Sequence, residues 1–225
     1  MAISTKNSHI SSIEDEFRDF IIAEKHPCIM ANTVFAMDNY VMQIYGALGS
    51  KETARSMKKD LQDYIADYDF DDNVFKSFLA VFPETEIASE IEFENLLWRQ
   101  LQFLHDTDTT EWDNSVSNDP ENDDFSFSIA GRAFYVIGMH PKSSRMARRS
   151  PYPTMVFNLH WQFEKLREMG VYHKVRDKIR KRDTALQGNI NPMLADFGDS
   201  SEAKQYSGRK VGGKWKCPFH SKLNK

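Results

Sequence analysis

The chain has 225 residues, a formal net charge of −4, and 40% hydrophobic and 12% aromatic residues. That composition supports a substantial core, and no apolar run reaches the roughly 18 residues of a membrane-spanning helix. The first residues, MAISTKNSHISSIEDEF, lack the charged and apolar regions of a signal peptide, so a cytoplasmic location and no membrane association are expected. Two cysteines, Cys28 and Cys217, are too few for a disulfide scaffold and lack zinc-type spacing.

In chain order, Ser12 can cap a first helix running to about Lys25, with Ile13, Phe17, Phe20 and Ile21 on one face. HPCIMANTVF reads as a strand after a proline turn. Thr53 to Asp67 carries Met57, Leu61, Tyr64 and Ile65 at helical spacing, and a second apolar helix is expected over Asn73 to Phe82. SEIEFENLLWRQLQFLHD is the strongest helix: Ser89 and Glu92 form a capping box, and Leu97, Leu101 and His105 share one face. Asp106 to Asp124 reads as an ordered polar loop. FSFSIAGRAFYVIGM then reads as a hairpin turning at Ala130-Gly131. TMVFN is a further strand, followed by a helix from about Leu159 to Met169 and a basic helix from Tyr172 to Arg182. These elements predict a single α+β domain over residues 1–225, with N-terminal helices, a mainly antiparallel sheet and covering helices. Residues 1–10 are expected to be disordered. Residues 184–225 are loop-rich, and their Leu194, Tyr206, Trp215 and Phe219 predict a segment that wraps the domain.

The mild net charge hides a segregation. His105 to Asp124 holds eight acidic residues and no Lys or Arg, whereas Ile137 to Asp183 holds twelve Lys or Arg against four acids. The basic half contains GMHPKSSRMARR, placed directly after an apolar strand. Arg145, Arg148 and Arg149 can grip carboxylates or phosphates in bidentate fashion; equally, the loop can pair with the acidic segment. His140 ends a strand, His160 stands at a strand-to-helix junction, and His105 ends an apolar helical face. Each suits either a hydrogen-bonded core role or a neutral imidazole ligand of heme iron. HPC and CPF join each cysteine to a proline, as buried thiols or as a thiolate ligand. Glu94, Asp106 and Asp108 lie on or beside the capped helix, where they form either a cation pocket or a solvated surface. The sequence has no GxxxxGK[ST], GxGxxG, GxSxG or HExxH, which argues against nucleotide-dependent and common hydrolytic chemistry. HKVRDKIRKR could track a phosphate backbone. Its few aromatics and acidic interruptions point instead to an exposed helix, so no nucleic-acid partner is expected.

Taken together, FSFSIAGRAFYVIGMHPKSSRMARRSPYPTMVFNLHWQFEKL, VRDKIRKRD, LQGNINPMLADFGDSSEAKQYSGR and KCPF resemble the YqcI/YcgG family, and HPC and ENLLWRQLQFLHDTD fit the same pattern. The resemblance runs from about His26 to Phe219. It implies heme b, dioxygen as co-substrate, an external reductase or electron donor, and oxidation of a guanidine-like or amine nitrogen. Arginine, an arginine-derived guanidine and an aminoimidazole are the implied substrate types. On this resemblance His140 is the expected iron ligand, with His160 the alternative and His105 or the Cys217 thiolate behind them. Ser143, Ser144, Arg145, Arg148 and Arg149 are expected to hold the cofactor or a substrate carboxylate. His160, His105 and Glu94 are the expected catalytic residues, with Glu94, Asp106 and Asp108 meeting a cationic substrate. A homodimer is the expected assembly. The alternative function is a non-catalytic heme- or anion-binding protein.

Overall fold

The computed structural model describes residues 11–222, so the disorder expected over residues 1–10 lies outside the described residues. A five-stranded mixed sheet organises the chain, in the order β1-β2-β5-β4-β3. Its strands are β1 (Tyr40–Ile44), β2 (Ser77–Val81), β3 (Phe127–Ile129), β4 (Arg132–Met139) and β5 (Thr154–Leu159). β1 and β2 are parallel, and the other three pairings are antiparallel. The fold class is α+β, as the sequence predicts. The Ala130-Gly131 turn is where the hairpin was expected, and both residues take positive φ, 52° and 73°, the conformation of a tight two-residue hairpin.

Helices cover both faces. Alternation along the strands sends neighbouring side chains to opposite sides. Phe78, Phe134, Val136 and Phe157 join one core with α3 (Lys51–Ala66), α4 (Glu90–Thr107) and the aromatic C-terminal segment. Leu79, Val81, Met139 and Val156 join the other core with α1, helical over 11–23, and α2 (Ile29–Ala36). α1 closes in a π-helical turn, Asp19–Ala23, and buries Ile13, Phe17, Phe20 and Ile21 as their spacing predicts. α5 (His160–Glu168) and α6 (Tyr172–Gln187) complete the second side. A short α7 (Ala203–Tyr206) contacts β4. Among the described residues, no helix is long and apolar enough to cross a membrane.

Two segments differ in type from the sequence expectation. HPCIMANTVF forms α2, not a strand: the Cys28 sulfur accepts a hydrogen bond from the Ala31 amide, which caps the helix, and Val34 and Phe35 bury together. Asn73 to Phe82 contributes β2, not a helix. Every β2 residue is buried, and a short apolar run covered on both faces has no alternation to reveal it. β1 was not anticipated, and α6 runs five residues beyond Arg182, to a left-handed cap at Gly188. At α4, Ser89 Oγ accepts from the Glu92 amide at 3.2 Å, while the Glu92 carboxylate reaches the Ala88 amide at 2.6 Å. Of the residues on which the wrap was predicted, Tyr206 and Phe219 are buried and Leu194 and Trp215 are half-buried.

Candidate functional site

A cavity of about 310 Å³ lies between the second sheet face and α1, α2, α5, α6 and the loop through Phe197. Its volume is at the lower end of small-molecule sites. Apolar side chains dominate the walls, among them Phe17, Ile21, Val34, Phe35, Leu79 and Ile137. A few polar groups interrupt them.

His160 is one of these groups. β5 sends Val156 and Asn158 to the cavity face, and period-two alternation puts the next even residue on the same side. His160 is buried and its Nε2 has no hydrogen-bond partner. Burial holds its pKa below the ordinary imidazole value, so the ring is neutral at pH 7. The Glu164 carboxylate lies 4.0 Å from Nδ1, and the Phe197 ring meets the imidazole edge-on at 4.4 Å.

The same alternation takes His140 away from the cavity. On β4, Tyr135, Ile137 and Met139 line it, and His140 follows on the other parity, stacked on Phe93 of α4 at 4.4 Å. Its Nδ1 is also without a partner, and burial lowers its pKa to about 4. His105 lies on that opposite side too, between Trp112 and Phe219, and its Nε2 accepts from the Lys222 amide at 2.9 Å. His26, not singled out as a site residue from sequence, lines the cavity but uses both nitrogens. Nε2 meets the Ala147 carbonyl at 2.8 Å, and Nδ1 accepts from the Cys28 amide at 3.2 Å.

The basic loop divides. Arg145 and Arg148 line the cavity. Arg145 is already engaged: it pairs with Asp183 at 2.5 Å and donates to Asn189 Oδ1 at 2.6 Å. Arg148 donates to two backbone carbonyls, Gly138 O at 3.0 Å and Gln205 O at 3.5 Å, and is hydrogen-bonded to the side chain of Tyr135. No ion pair to a carboxylate is formed by Arg148 among the described residues, and burial lowers its pKa. Arg149 is exposed and donates to Ser143 O. Ser143 Oγ accepts from the Arg145 amide, and Ser144 bonds Glu90 through both its amide and its hydroxyl. These three residues shape the loop and do not line the cavity.

Glu94 does meet a guanidinium, but that of Arg209, at 2.7 and 3.0 Å; it also accepts from Ser207 and Trp215 and so anchors the C-terminal wrap. Asp108 caps the hairpin turn through the Ala130 amide and faces Lys58 at 3.4 Å, and Asp106 bonds Gln102. Neither lines the cavity. Cys28 lines it and Cys217 does not; burial pushes both thiols up, Cys217 to about 12, so neither is a thiolate at pH 7.

Three acids on the cavity wall, Asp183, Asp196 and Glu202, were missed from sequence. Asp183 Oδ2 takes Arg145 and the Asn191 amide, while the buried Oδ1 has no partner. Glu202 is wholly buried, with Oε2 bonded by Ser126 at 2.9 Å and Tyr206 at 3.3 Å. Burial raises its pKa to about 8, so it is predominantly protonated at pH 7. At the more open edge, Arg176 and Arg180 share Asp196, and Arg167 pairs with Glu164. Among the described residues, no three His, Cys, Asp or Glu side chains converge as a metal site.

The chain is 29% identical over 210 residues to "Uncharacterized protein YqcI" of Bacillus subtilis (strain 168), covering 89% of this chain and 82% of that one. It is 28% identical over 210 residues to "Uncharacterized protein YcgG" of the same strain, covering 88% and 81%. No solved structure matches it. The family model described as YqcI/YcgG matches residues 17–220, so the cavity and every described element beyond the first turns of α1 fall within the match, and the chain belongs to the YqcI/YcgG family.

Proposed function

We propose that the protein is a heme-dependent N-oxygenase that uses dioxygen and external electrons to oxidise a guanidine-like or amine nitrogen. The observation that carries this reading is His160, a residue of the apolar cavity lining whose ring is neutral and whose buried Nε2 has no partner. An orphaned buried polar atom is uncommon in a native fold and calls for an explanation. A single histidine suffices for heme, because the porphyrin supplies the other ligands. When bound, heme b supplies dioxygen chemistry driven by external electrons.

The chain's own residues have definable roles. His160 is the axial ligand in this reading, preferred over His140 because only His160 lines the cavity. Glu164, 4.0 Å from Nδ1 and paired with Arg167, places a negative charge beside the ring and raises its basicity. Propionates prefer contact with water, and the arginines at the cavity edge provide it. Arg167, Arg176 and Arg180 are 28, 24 and 27% exposed in their side chains, against 10% for Arg145. In this reading the clamp falls to these three in place of Arg145, Arg148 and Arg149, and each would exchange its carboxylate partner, Glu164 or Asp196, for a propionate. The apolar walls exclude water, and Glu202 supplies a carboxyl for a basic nitrogen. Glu202, protonated at pH 7, would release its proton to solvent as a guanidinium binds, and the resulting carboxylate would hold that charge and orient the nitrogen for oxidation.

The test is an absorption spectrum of protein expressed with added heme precursor. A Soret band is expected in the unsubstituted protein and in His140→Ala, and its loss in His160→Ala. Absence of the band throughout, or its loss in His140→Ala alone, overturns the assignment. Turnover of L-arginine or another guanidine with dioxygen and reductant separates an enzyme from a non-catalytic heme- or anion-binding protein. The buried cation of Arg148 is compatible with that second reading.

A further inference from the structure

The two edges of the sheet are finished differently. At the β3 edge the Phe127 amide donates to the Tyr206 hydroxyl at 2.9 Å, and the Asp113 amide donates to Ser128 Oγ at 3.0 Å. The β1 edge has no such cover. The Tyr45 amide donates to Val81 O, and Asn39 O accepts from the Ser77 amide, so the odd-numbered residues of β1 turn their backbone groups to β2. Successive residues of a strand alternate. The N–H and C=O of Tyr40, Met42 and Ile44 therefore point outward, and no backbone group meets them among the described residues. A row of this kind is a template for another strand, and native edges are commonly blunted by Lys, Pro, a bulge or an inward charge. YVMQI carries none of these. Its Val41, Met42 and Ile44 pack on the two cores but stay only half-buried, and Met37, 61% exposed, stands three residues ahead of the strand.

We infer that this edge is a homodimer interface, in which β1 pairs antiparallel with β1 of a second copy about a two-fold axis through Met42. The outward groups are distributed symmetrically about Met42, so a second copy supplies their complement. Met42 exchanges two hydrogen bonds with Met42 of the partner subunit, Tyr40 two with the partner's Ile44, and Ile44 two with the partner's Tyr40. Every outward group of the strand is then satisfied. An axis at Val41 or Gln43 instead carries one end of β1 past the end of its copy. The side chains agree with this register. Tyr40 comes to lie beside the partner's Ile44, an aromatic and β-branched pair of a favourable kind. β1 has no charged side chain, and the flanking Asp38 is already paired with Arg18, so the two copies meet without like-charge contact. An isologous contact closes at two subunits, and the covered β3 edges stop the joined sheet from growing further. Tyr40, Met42 and Ile44 do not line the cavity, so the inference is independent of the heme reading.

The experiment uses the full chain. Sedimentation equilibrium over a concentration series should give twice the 26.1 kDa of one chain. Met42→Cys puts two sulfurs at the axis, where facing Cα atoms of a hydrogen-bonded antiparallel pair lie about 5.5 Å apart, within the roughly 4.4–6.8 Å of a disulfide. Under mild oxidation it should form a covalent dimer on non-reducing electrophoresis, reversed by reductant. Gln43→Cys is the register control. It falls opposite the partner's Val41, so its two copies stand about 8 Å apart, beyond the roughly 7 Å reach of a disulfide, and should crosslink about 10-fold less or weaker still. The unsubstituted chain controls for Cys28 and Cys217. Met42→Lys sets like charges face to face on the axis and should raise the dimer Kd about 10-fold or more. A monomeric mass throughout the series overturns the inference. So does equal crosslinking of the two cysteine variants, or a dimer that Met42→Cys leaves uncrosslinked. The mass of the unsubstituted chain and the Met42→Cys crosslink decide the question even where Met42→Lys does not fold.

Discussion

Replacing Gly138 by alanine tests the packing that separates the two faces of the sheet. A Cβ at Gly138 would lie 2.5 Å from Leu97 Cδ1, 2.7 Å from Phe93 Cε1 and 2.8 Å from Tyr206 O. Carbon atoms in good contact are about 3.5–4.0 Å apart, so all three contacts are overlaps. Leu97 and Phe93 are fully buried on α4, and the third atom is backbone at the end of α7. Relief therefore requires moving a helix. Overpacking costs typically about 1–3 kcal/mol, and three simultaneous overlaps, one with backbone, put Gly138→Ala at about 3 kcal/mol. The opposing gain from a less flexible unfolded chain is only about 0.4–1 kcal/mol. Urea denaturation at pH 7 measures the difference, with Gly213→Ala as the control because nothing lies within 4 Å of a Cβ there. The control should change stability by less than about 1 kcal/mol. Gly138 O also accepts from Arg148, so the variant should weaken any anion binding at Arg148. A loss below about 0.5 kcal/mol for Gly138→Ala would show that α4 does not seat on β4 as described.

Three other outcomes follow from buried polar groups. Glu202 has a folded pKa of about 8 against an ordinary 4.5, so its contribution to stability is full below pH 4.5 and is lost as pH rises to about 8. Glu202→Gln should remove that decline, worth roughly 4–5 kcal/mol at most, and equal pH slopes in variant and parent by urea denaturation would refute it. His140 shifts the opposite way, to about 4 from 6.5: its contribution is present above pH 6.5 and is lost as pH falls toward 4. His140→Phe should retain the contact with Phe93 and spare about 2 kcal/mol of acid destabilisation at pH 5, read as the difference between denaturation midpoints at pH 7 and pH 5. Arg145→Met leaves Asp183 buried without its cation and should cost about 3–5 kcal/mol. Arg145→Met with Asp183→Leu should recover most of it, and a double variant no better than the single one would contradict the pairing.

The helices with a clear 3.6-residue period were legible in the sequence, and so was the hairpin, because Ala130-Gly131 interrupts two apolar runs. β2 and α2 were not: both are short apolar segments whose covering groups come from elsewhere in the fold, and the α2 cap is a cysteine sulfur, not one of the usual capping residues. The site shows the same boundary between local and non-local information. GMHPKSSRMARR was recognisable as a cation-rich loop that could grip an anion or pair with the acidic segment, but strand parity separates its His140 from His160. One residue of register on β4 sends His140 to Phe93 and the α4 side, whereas β5 delivers His160 to the cavity. Parity was readable from Ile137, Met139, Val156 and Asn158; which face held a cavity was not, because that depends on where α1, α2 and α6 pack. Asp183 left a local trace. Tyr172, Val175 and Ile179 recur at helical spacing along the side of α6 that lines the cavity, and Asp183 falls four residues on, in the same stripe. A carboxylate at a position where the pattern demands an apolar side chain is a group the fold must pair. Arg145 meets one of its oxygens, and the other is buried without a donor.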